Sequence, residues 1–436
     1  MADSLGVRRH ILAILGAILC IGFSVQIVLG LAWMACNLWA VRTQPLDGIR
    51  DLVQLVAAFF AAYRLLFHIP AAKKRFRVWA GLAMVTFPLA MQCHLSNSPD
   101  SLASSFLILE LAEGCFLLLS QKEQTLKRFV GVLACWIAAS LMAPEYLYFG
   151  AVPVVILFLG GKVKAYKQVL CRALLMVAAL GIIVGAGRLK TEALGMGETV
   201  SAEEQAALSL ASRCAWPHMA EDYGYLPQEV RECLSDQEAF QVDYYADNVQ
   251  RILWEKTKEQ LGAAGAQKAL FAVAAGAWSR HKGEIIHDVI ADAGAYTLAP
   301  IVLQRQLSGK FYDSYSGSNY DAMRQHTPFL TKYYLDYGCW WFTAALLMVL
   351  LRKAAAVCGS LFGKKRESVG MKKSVWAVAF MCLLTSLCMV LGYTMRGAGM
   401  MDYKKTITVG LLWMAWMLKN CAGCLRYVAV EEIQER

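Results

Sequence analysis

Residues 11–34 run from Ile11 to Met34 without one charged side chain, and apolar runs of this kind recur along the chain. A helix crosses the roughly 30 Å hydrocarbon core of a bilayer in about 20 apolar residues, and no other open element does so, because lipid satisfies no backbone hydrogen bond. Ten candidate spans are read at 11–34, 52–67, 78–92, 102–119, 129–142, 147–160, 171–187, 337–351, 374–394 and 406–420. Several hold only 14–16 residues, so their ends must borrow flanking positions. Residues 129–160 are also compatible with one re-entrant element, since only Ala143-Pro144-Glu145-Tyr146 parts its halves. With 17% charged residues against about 25% in a soluble domain, the chain lacks the polar surface to face water all round. The expected fold is an all-α polytopic membrane protein of about ten transmembrane helices, with one large, mostly helical extracytoplasmic segment.

The basic residues alternate. Arg8/Arg9, Lys73/Lys74/Arg75/Arg77, Lys122/Lys127/Arg128, Lys162/Lys164/Lys167 and the run from Arg352 to Lys373 fall between alternate spans, whereas 93–101 and 143–146 carry neither Lys nor Arg. Under the positive-inside rule this alternation fits both termini in the cytoplasm. Segments 35–51, 93–101, 143–146, 188–336 and 395–405 then face outward. The run 11–34 is too long for the core of a cleaved signal peptide and reads as a retained first span. Between Arg188 and Tyr334 there are 14 Lys and Arg against 19 Asp and Glu, a net of −5 in a chain of +10. The basic balance therefore belongs to the inner loops and anionic lipid headgroups, and no basic, aromatic surface suits nucleic acid.

The expected organisation is an N-terminal membrane bundle at 1–187, a helical segment at 188–336 and a C-terminal bundle at 337–436 with its basic loop at 352–373. Ser201 before Ala202-Glu203-Glu204 is a candidate N-cap, 241–261 has amphipathic helical spacing, and 262–278 is Ala-rich, suiting a membrane surface or a helical domain. Most of the fourteen cysteines lie in apolar runs, where Cys acts as a small hydrophobe. Cys214 and Cys233 alone lie well inside a long polar region and could pair, while Cys421 and Cys424 form a CxxC read as packing.

Carboxylates and aromatics collect in the outward segments: Asp47, Asp51, Asp100, Glu145, RCAWPHMAEDYGYLP (213–227), YDSYSGSNYDAMRQHTP (312–328) and the pieces around Arg396 and Asp402-Tyr403-Lys404-Lys405. Carboxylates there can act as general bases, and Arg, Lys and His can hold a lipid-linked phosphate; a solvated loop face is the plainer alternative. His218, Glu221 and Asp222 could ligate an ion, but HxxED matches no zinc motif, so no metal site is assigned; a divalent cation held by carboxylates and phosphate stays open. Neither a P-loop, a nucleophile elbow nor HExxH occurs, and ATP hydrolysis is not expected. Within the spans stand Arg64, Glu110 and Glu113, where a charge costs roughly 2.5–3.5 kcal/mol or more. An Arg64–Glu113 pair is expected as structure, and a proton or ion relay through Glu110 is the alternative role for that residue.

TFPLAMQCHLSNSPDSLASSFLIL (86–109), LMAPEYLYF (141–149), RCAWPHMAEDYGYLP, SGSNYDAMRQHTPFLTKYY (316–334) and YTMRGAGMMDYKKT (393–406) together resemble a family of largely uncharacterised bacterial membrane proteins similar to the GT-C glycosyltransferase class. That resemblance implies transfer of a sugar from a polyprenyl-phosphate carrier to an envelope acceptor at the outer leaflet. It implies Asp47 or Asp51 as base or metal ligand and Arg396 and Lys404 at the lipid phosphate. His94, Asp100, Glu145, His218, Glu221, Asp222, Tyr225 and Asp402 would line the substrate. The first outer loop, 35–51, is shorter than the class usually carries and holds no D-x-D or E-x-D. A lipid-linked glycan polymerase or ligase, a transporter or flippase, and an inactive partner in envelope assembly are the competing readings.

Overall fold

A computed structural model of the chain describes residues 2–37, 45–67, 73–95, 99–119, 126–160, 166–193, 202–233, 246–298, 327–362, 373–394 and 407–434. Every regular element among them is helical: α1 (Ala2–Cys36), α2 (Pro45–Leu66), α3 (Lys74–Val85), α4 (Pro88–His94), α5 (Asp100–Leu119), α6 (Leu126–Met142), α7 (Tyr146–Gly160), α8 (Tyr166–Ala193), α9 (Ala202–Ala215), α10 (Met219–Asp222), α11 (Gln228–Cys233), α12 (Ala246–Thr297), α13 (Pro328–Phe362), α14 (Lys373–Thr394) and α15 (Ile407–Gln434). Short 3₁₀ turns, Trp216–His218 and Tyr223–Tyr225, flank α10. The chain divides into two compact units. One comprises Met1–Gly187, Leu298–Ser386 and Tyr403–Arg436, the other Arg188–Thr297 and Leu387–Asp402.

Six stretches among the described residues are long and apolar enough to cross a membrane: His10–Cys36, Asp100–Leu119, Tyr166–Gly187, Phe329–Ala355, Trp376–Thr394 and Ile407–Leu425. This is a multi-pass membrane protein. The other four expected spans are shorter or more mixed. The apolar part of α7, Tyr146–Leu159, is shorter, α6 has 17 residues, and α2 has 22 but carries Asp47, Arg50, Asp51 and Arg64. The run 78–92 is two helices of 12 and 7 residues, α3 and α4, with their joint at Thr86-Phe87. Pro88 explains the joint. Its ring supplies no N–H and would clash with the carbonyl four residues back, so it restarts a helix at the first position instead of continuing one.

The membrane unit buries one face of each helix and leaves apolar faces open. On α1 the exposed positions Ile11, Ile14, Ile18, Ile21, Val25 and Val28 recur every three or four residues, and Trp376, Phe380 and Leu383 do the same on α14. Helical spacing makes these continuous stripes, the surface a helix turns toward lipid. Inward, Trp33, Leu55, Ala58, Val85, Met91, Leu95 and Tyr334 join α1, α2, α3, α4 and α13. Phe129, Val132, Trp136, Val154, Leu157 and Ala179 join α6, α7 and α8.

Because lipid and protein interior are equally apolar, close backbone approach and polar contacts must hold such helices together. Gln26 donates to the Ala83 carbonyl at 2.8 Å, Trp33 to Thr331 Oγ1 at 3.1 Å, and Tyr337 to the Gly22 carbonyl at 3.0 Å. Tyr334 donates at 2.6 Å to the carbonyl of Thr86, at the α3–α4 joint. A Cβ at Gly22 would overlap the Trp341 indole, and one at Gly338 the Pro88 ring. Replacement by Ala at Gly22 should therefore lower stability by about 1–3 kcal/mol. Gly181→Ala in α8, with nothing within 4 Å of the new methyl, should be neutral or slightly stabilising. Thermal unfolding in one detergent checks this, and equal shifts for the two variants would contradict the close α1–α13 approach.

In the second unit the Ala-rich stretch Ala266, Leu270, Val273 and Ala277 of α12 packs on Ala207, Leu208, Ala211 and Cys214 of α9, with Leu226 and Val230 beside them. Spacings of four, three and four residues put these side chains on one face, where the alanines let the two helices approach closely. The α12 axis breaks at Gly262 (φ 69°), a backbone conformation open to glycine, and again at His281 (φ −114°, ψ 25°). The first break separates the amphipathic stretch from the Ala-rich one. Residue Ser201, the expected N-cap of α9, and the side chain of Cys233 lie outside the described residues.

Candidate functional site

Two polar clusters stand out, one in each unit. In the membrane unit, α4 ends at His94 and α5 starts at Asp100, so the end of one helix and the first turn of the next come together at a corner. His94 Nδ1 lies 2.7 Å from Ser101 Oγ, Ser104 Oγ lies 2.6 Å from Thr408 Oγ1 on α15, and all four side chains are buried. The Tyr146 phenol, fully buried at the start of α7, is within electrostatic reach of the Asp100 and Glu145 carboxylates and the Cys93 thiol. Asp100 sits where the α5 dipole favours a carboxylate. Burial pushes the His94 imidazole down to about 3, so the ring is neutral, and its Nε2 has no partner among the described residues. An acid, a neutral imidazole and a phenol thus share one buried corner.

Asp51, on α2, is also fully buried, and Arg50 donates to it at 3.3 Å. The side chain of Asp47 and the whole of Arg396, Asp402 and Lys404 lie outside the described residues. Deeper in the bundle the Arg64 guanidinium binds Glu113, with Nε at 3.1 Å from Oε1. One turn away Glu110 is 0% exposed and neither of its oxygens has a partner among the described residues. It lies beside Gly150, where a Cβ would stand 2.9 Å from Oε2.

In the second unit the stretch 213–227 folds as turn, short helix and turn beneath α12. Arg280 grips the buried Asp222 with two hydrogen bonds, Nε to Oδ1 at 3.0 Å and Nη2 to Oδ2 at 2.9 Å. His281 Nε2 reaches Oδ1 at 3.1 Å. Burial opposes the charge on Asp222, but Arg280 and His281 outweigh it and hold the carboxyl below its ordinary value. Stability from this carboxylate is therefore present above the unfolded-state value and is lost as pH falls through the lowered one. The His218 and His281 rings stack at 3.8 Å with planes 2° apart, and Glu284 Oε2 lies 3.6 Å from His218 Nδ1 and 4.0 Å from His281 Nδ1. The Arg280 guanidinium also covers the exposed Tyr225 ring at 5.0 Å. Arg213 binds Asp292, tying α9 to α12.

No protein-family model, curated protein or solved structure matches this chain.

Of the residues singled out in the sequence, His94, Asp100 and Glu145 belong to the membrane-unit corner, while His218, Asp222 and Tyr225 belong to the second cluster; Glu221 is exposed. Sequence reasoning missed Ser101, Tyr146 and Thr408 in the first, and Arg280, His281 and Glu284 in the second. The available signal for the latter was Arg280-His281 followed by Glu284 one helical turn on, in a stretch otherwise read only for its helical period. A double-mutant cycle with Asp222→Asn and Arg280→Gln should give a coupling of about 0.5–3 kcal/mol in thermal or denaturant unfolding. Strict additivity would contradict the bidentate contact.

Proposed function

We propose that the chain is a glycosyltransferase of the bacterial plasma membrane, similar to the GT-C class, with both termini in the cytoplasm and segments 93–101 and 188–336 on the outer side. It moves a sugar from a polyprenyl-phosphate carrier to an envelope acceptor at the outer leaflet. The observation that carries this reading is the buried corner holding Asp100, His94, Ser101 and Tyr146 at the end of an apolar multi-pass bundle. The alternation of Lys and Arg and the resemblance of 86–109, 141–149 and 393–406 to that class support it further.

In the proposed reaction a carboxylate takes the proton of the acceptor hydroxyl. The acceptor oxygen then bonds the sugar carbon, and the carbon–oxygen bond to the carrier breaks, leaving polyprenyl phosphate. Asp100 is taken as the base because it shares its corner with Tyr146, whereas Asp51 faces the Arg50 cation. Neutral His94 and Tyr146 can donate or accept hydrogen bonds without bringing a charge into the bundle. Arg396 and Lys404 are proposed to meet the carrier phosphate. Transfer from a labelled polyprenyl-phosphate sugar in proteoliposomes tests this. Asp100→Asn should lower the rate by about 10²–10⁴-fold at unchanged folded yield. No transfer by the unsubstituted chain, or full transfer by the variant, would overturn it.

One observation favours a second reading, a transporter: Glu110 is a fully buried carboxyl without a protein partner in the described bundle. Intramembrane acids of that kind serve proton and ion relays. Glu110→Gln should then abolish substrate or ion flux at unchanged yield, whereas a loss of yield alone would sink the relay.

A further inference from the structure

We propose that His218, His281 and Glu284 form a binding site for a divalent first-row metal ion, of which zinc is the representative, in the second unit. One donor atom from each of His218, His281 and Glu284 lies within 4.8 Å of the other two. Zinc bonds to imidazole nitrogen and carboxylate oxygen at about 2.0–2.2 Å, which in a tetrahedral site sets donors about 3.4 Å apart. The separations from Glu284, 3.6 Å and 4.0 Å, need only a slight contraction. The two rings are parallel, so they must splay for both lone pairs to meet one ion.

The surroundings of His281 make the cluster more than a chance meeting of side chains. Its Nε2–H is held by the Asp222 carboxylate at 3.1 Å, and that carboxylate is fixed by both arms of the Arg280 fork. In the neutral ring this leaves the lone pair on Nδ1, the nitrogen that faces Glu284. Ligating histidines are oriented in just this way, by a carboxylate on the far ring nitrogen. The backbone contributes as well: α12 leaves helical geometry at His281, and the kink presents that ring to His218 on the 3₁₀ turn. Two imidazoles and one carboxylate are a borderline-soft donor set that suits zinc and its neighbours over calcium or magnesium. Three protein donors leave the fourth position to water, and Glu284, 71% exposed, marks the solvent side. The ion would pin the 213–227 stretch to α12. This inference uses only the second unit and stands independently of glycosyl transfer.

The test uses the full, untagged chain in detergent, with Zn²⁺ and Co²⁺ as probes. Dialysis followed by elemental analysis should find one zinc per chain, and Co²⁺ should give the intense ligand-field absorption of a four-coordinate site. Asp222→Asn should weaken affinity by about 10–100-fold, since it removes the carboxylate that orients His281. His281→Ala and His218→Ala should weaken it at least as much. Because those two could also loosen the fold, Glu284→Gln at an exposed position is the deciding variant: unchanged unfolding without metal and a more than tenfold loss of Zn²⁺ affinity are expected. Absence of stoichiometric zinc, or affinity unchanged in Glu284→Gln, would overturn the assignment.

Discussion

In the hydrocarbon core no water is present to take a backbone N–H or C=O, and the architecture follows from that constraint. It explains why the elements of the membrane unit are helices and why the hydroxyls fold back on their own chains. Ser24, Ser105, Ser140, Thr343 and Thr385 each donate to the carbonyl four residues earlier, at 2.8–3.0 Å. The same rule governs the α3–α4 joint, where the bundle interrupts a helix. There the freed Thr86 carbonyl is taken by the Tyr334 phenol from another helix. The Met84 carbonyl, which Pro88 cannot serve, is taken by the Phe87 N–H at 3.3 Å.

With backbone groups settled within helices, what remains to hold the helices together is close contact and a few long polar side chains. Gly22 and Gly338 allow α13 to approach its neighbours, and Arg352 at its far end donates to the Asn420 carbonyl at 3.2 Å and to Cys424 Sγ at 3.1 Å. Cys421, of the same CxxC, packs 3.6 Å from Cys20. The charges sort themselves by the same logic. Arg64 and Glu113 neutralise each other, Asp100 is moored at a helix start, and Glu110 is buried without a partner among the described residues. Groups left with unused hydrogen-bonding capacity in such a setting are costly, by about 1–3 kcal/mol each, and among the described residues His94 Nε2 and both Glu110 oxygens are such groups.

Much of this was legible in the sequence, for reasons that also mark where it was not. Apolar runs near 20 residues, such as 11–34, 102–119 and 374–394, are unambiguous, because length and composition alone decide whether a helix can cross lipid. The stretch 78–92 misled because hydropathy averages over Pro88, while α2 hides four charged residues among apolar ones. Arg64 and Glu113 could be paired from depth in their spans, since lipid offers no other partner. The His218–His281–Glu284 cluster was not legible. It depends on α9 and α12 packing through Ala and Leu side chains and on a backbone break at His281, neither of which a local pattern encodes. The corner was half legible: His94 and Asp100 announce themselves, but Tyr146 and Thr408 arrive from other helices.

The 93–101 corner and the 188–336 segment are proposed to share the outer side of the membrane, opposite the basic loops. The most direct test is labelling of intact cells with a membrane-impermeant maleimide, each variant being compared with the unsubstituted chain. Ser98→Cys and Glu229→Cys should gain label from outside. Lys122→Cys and Lys364→Cys should gain it only once the membrane is opened. Labelling of Ser98→Cys and Glu229→Cys from opposite sides, or of Lys364→Cys from outside, would contradict that placement.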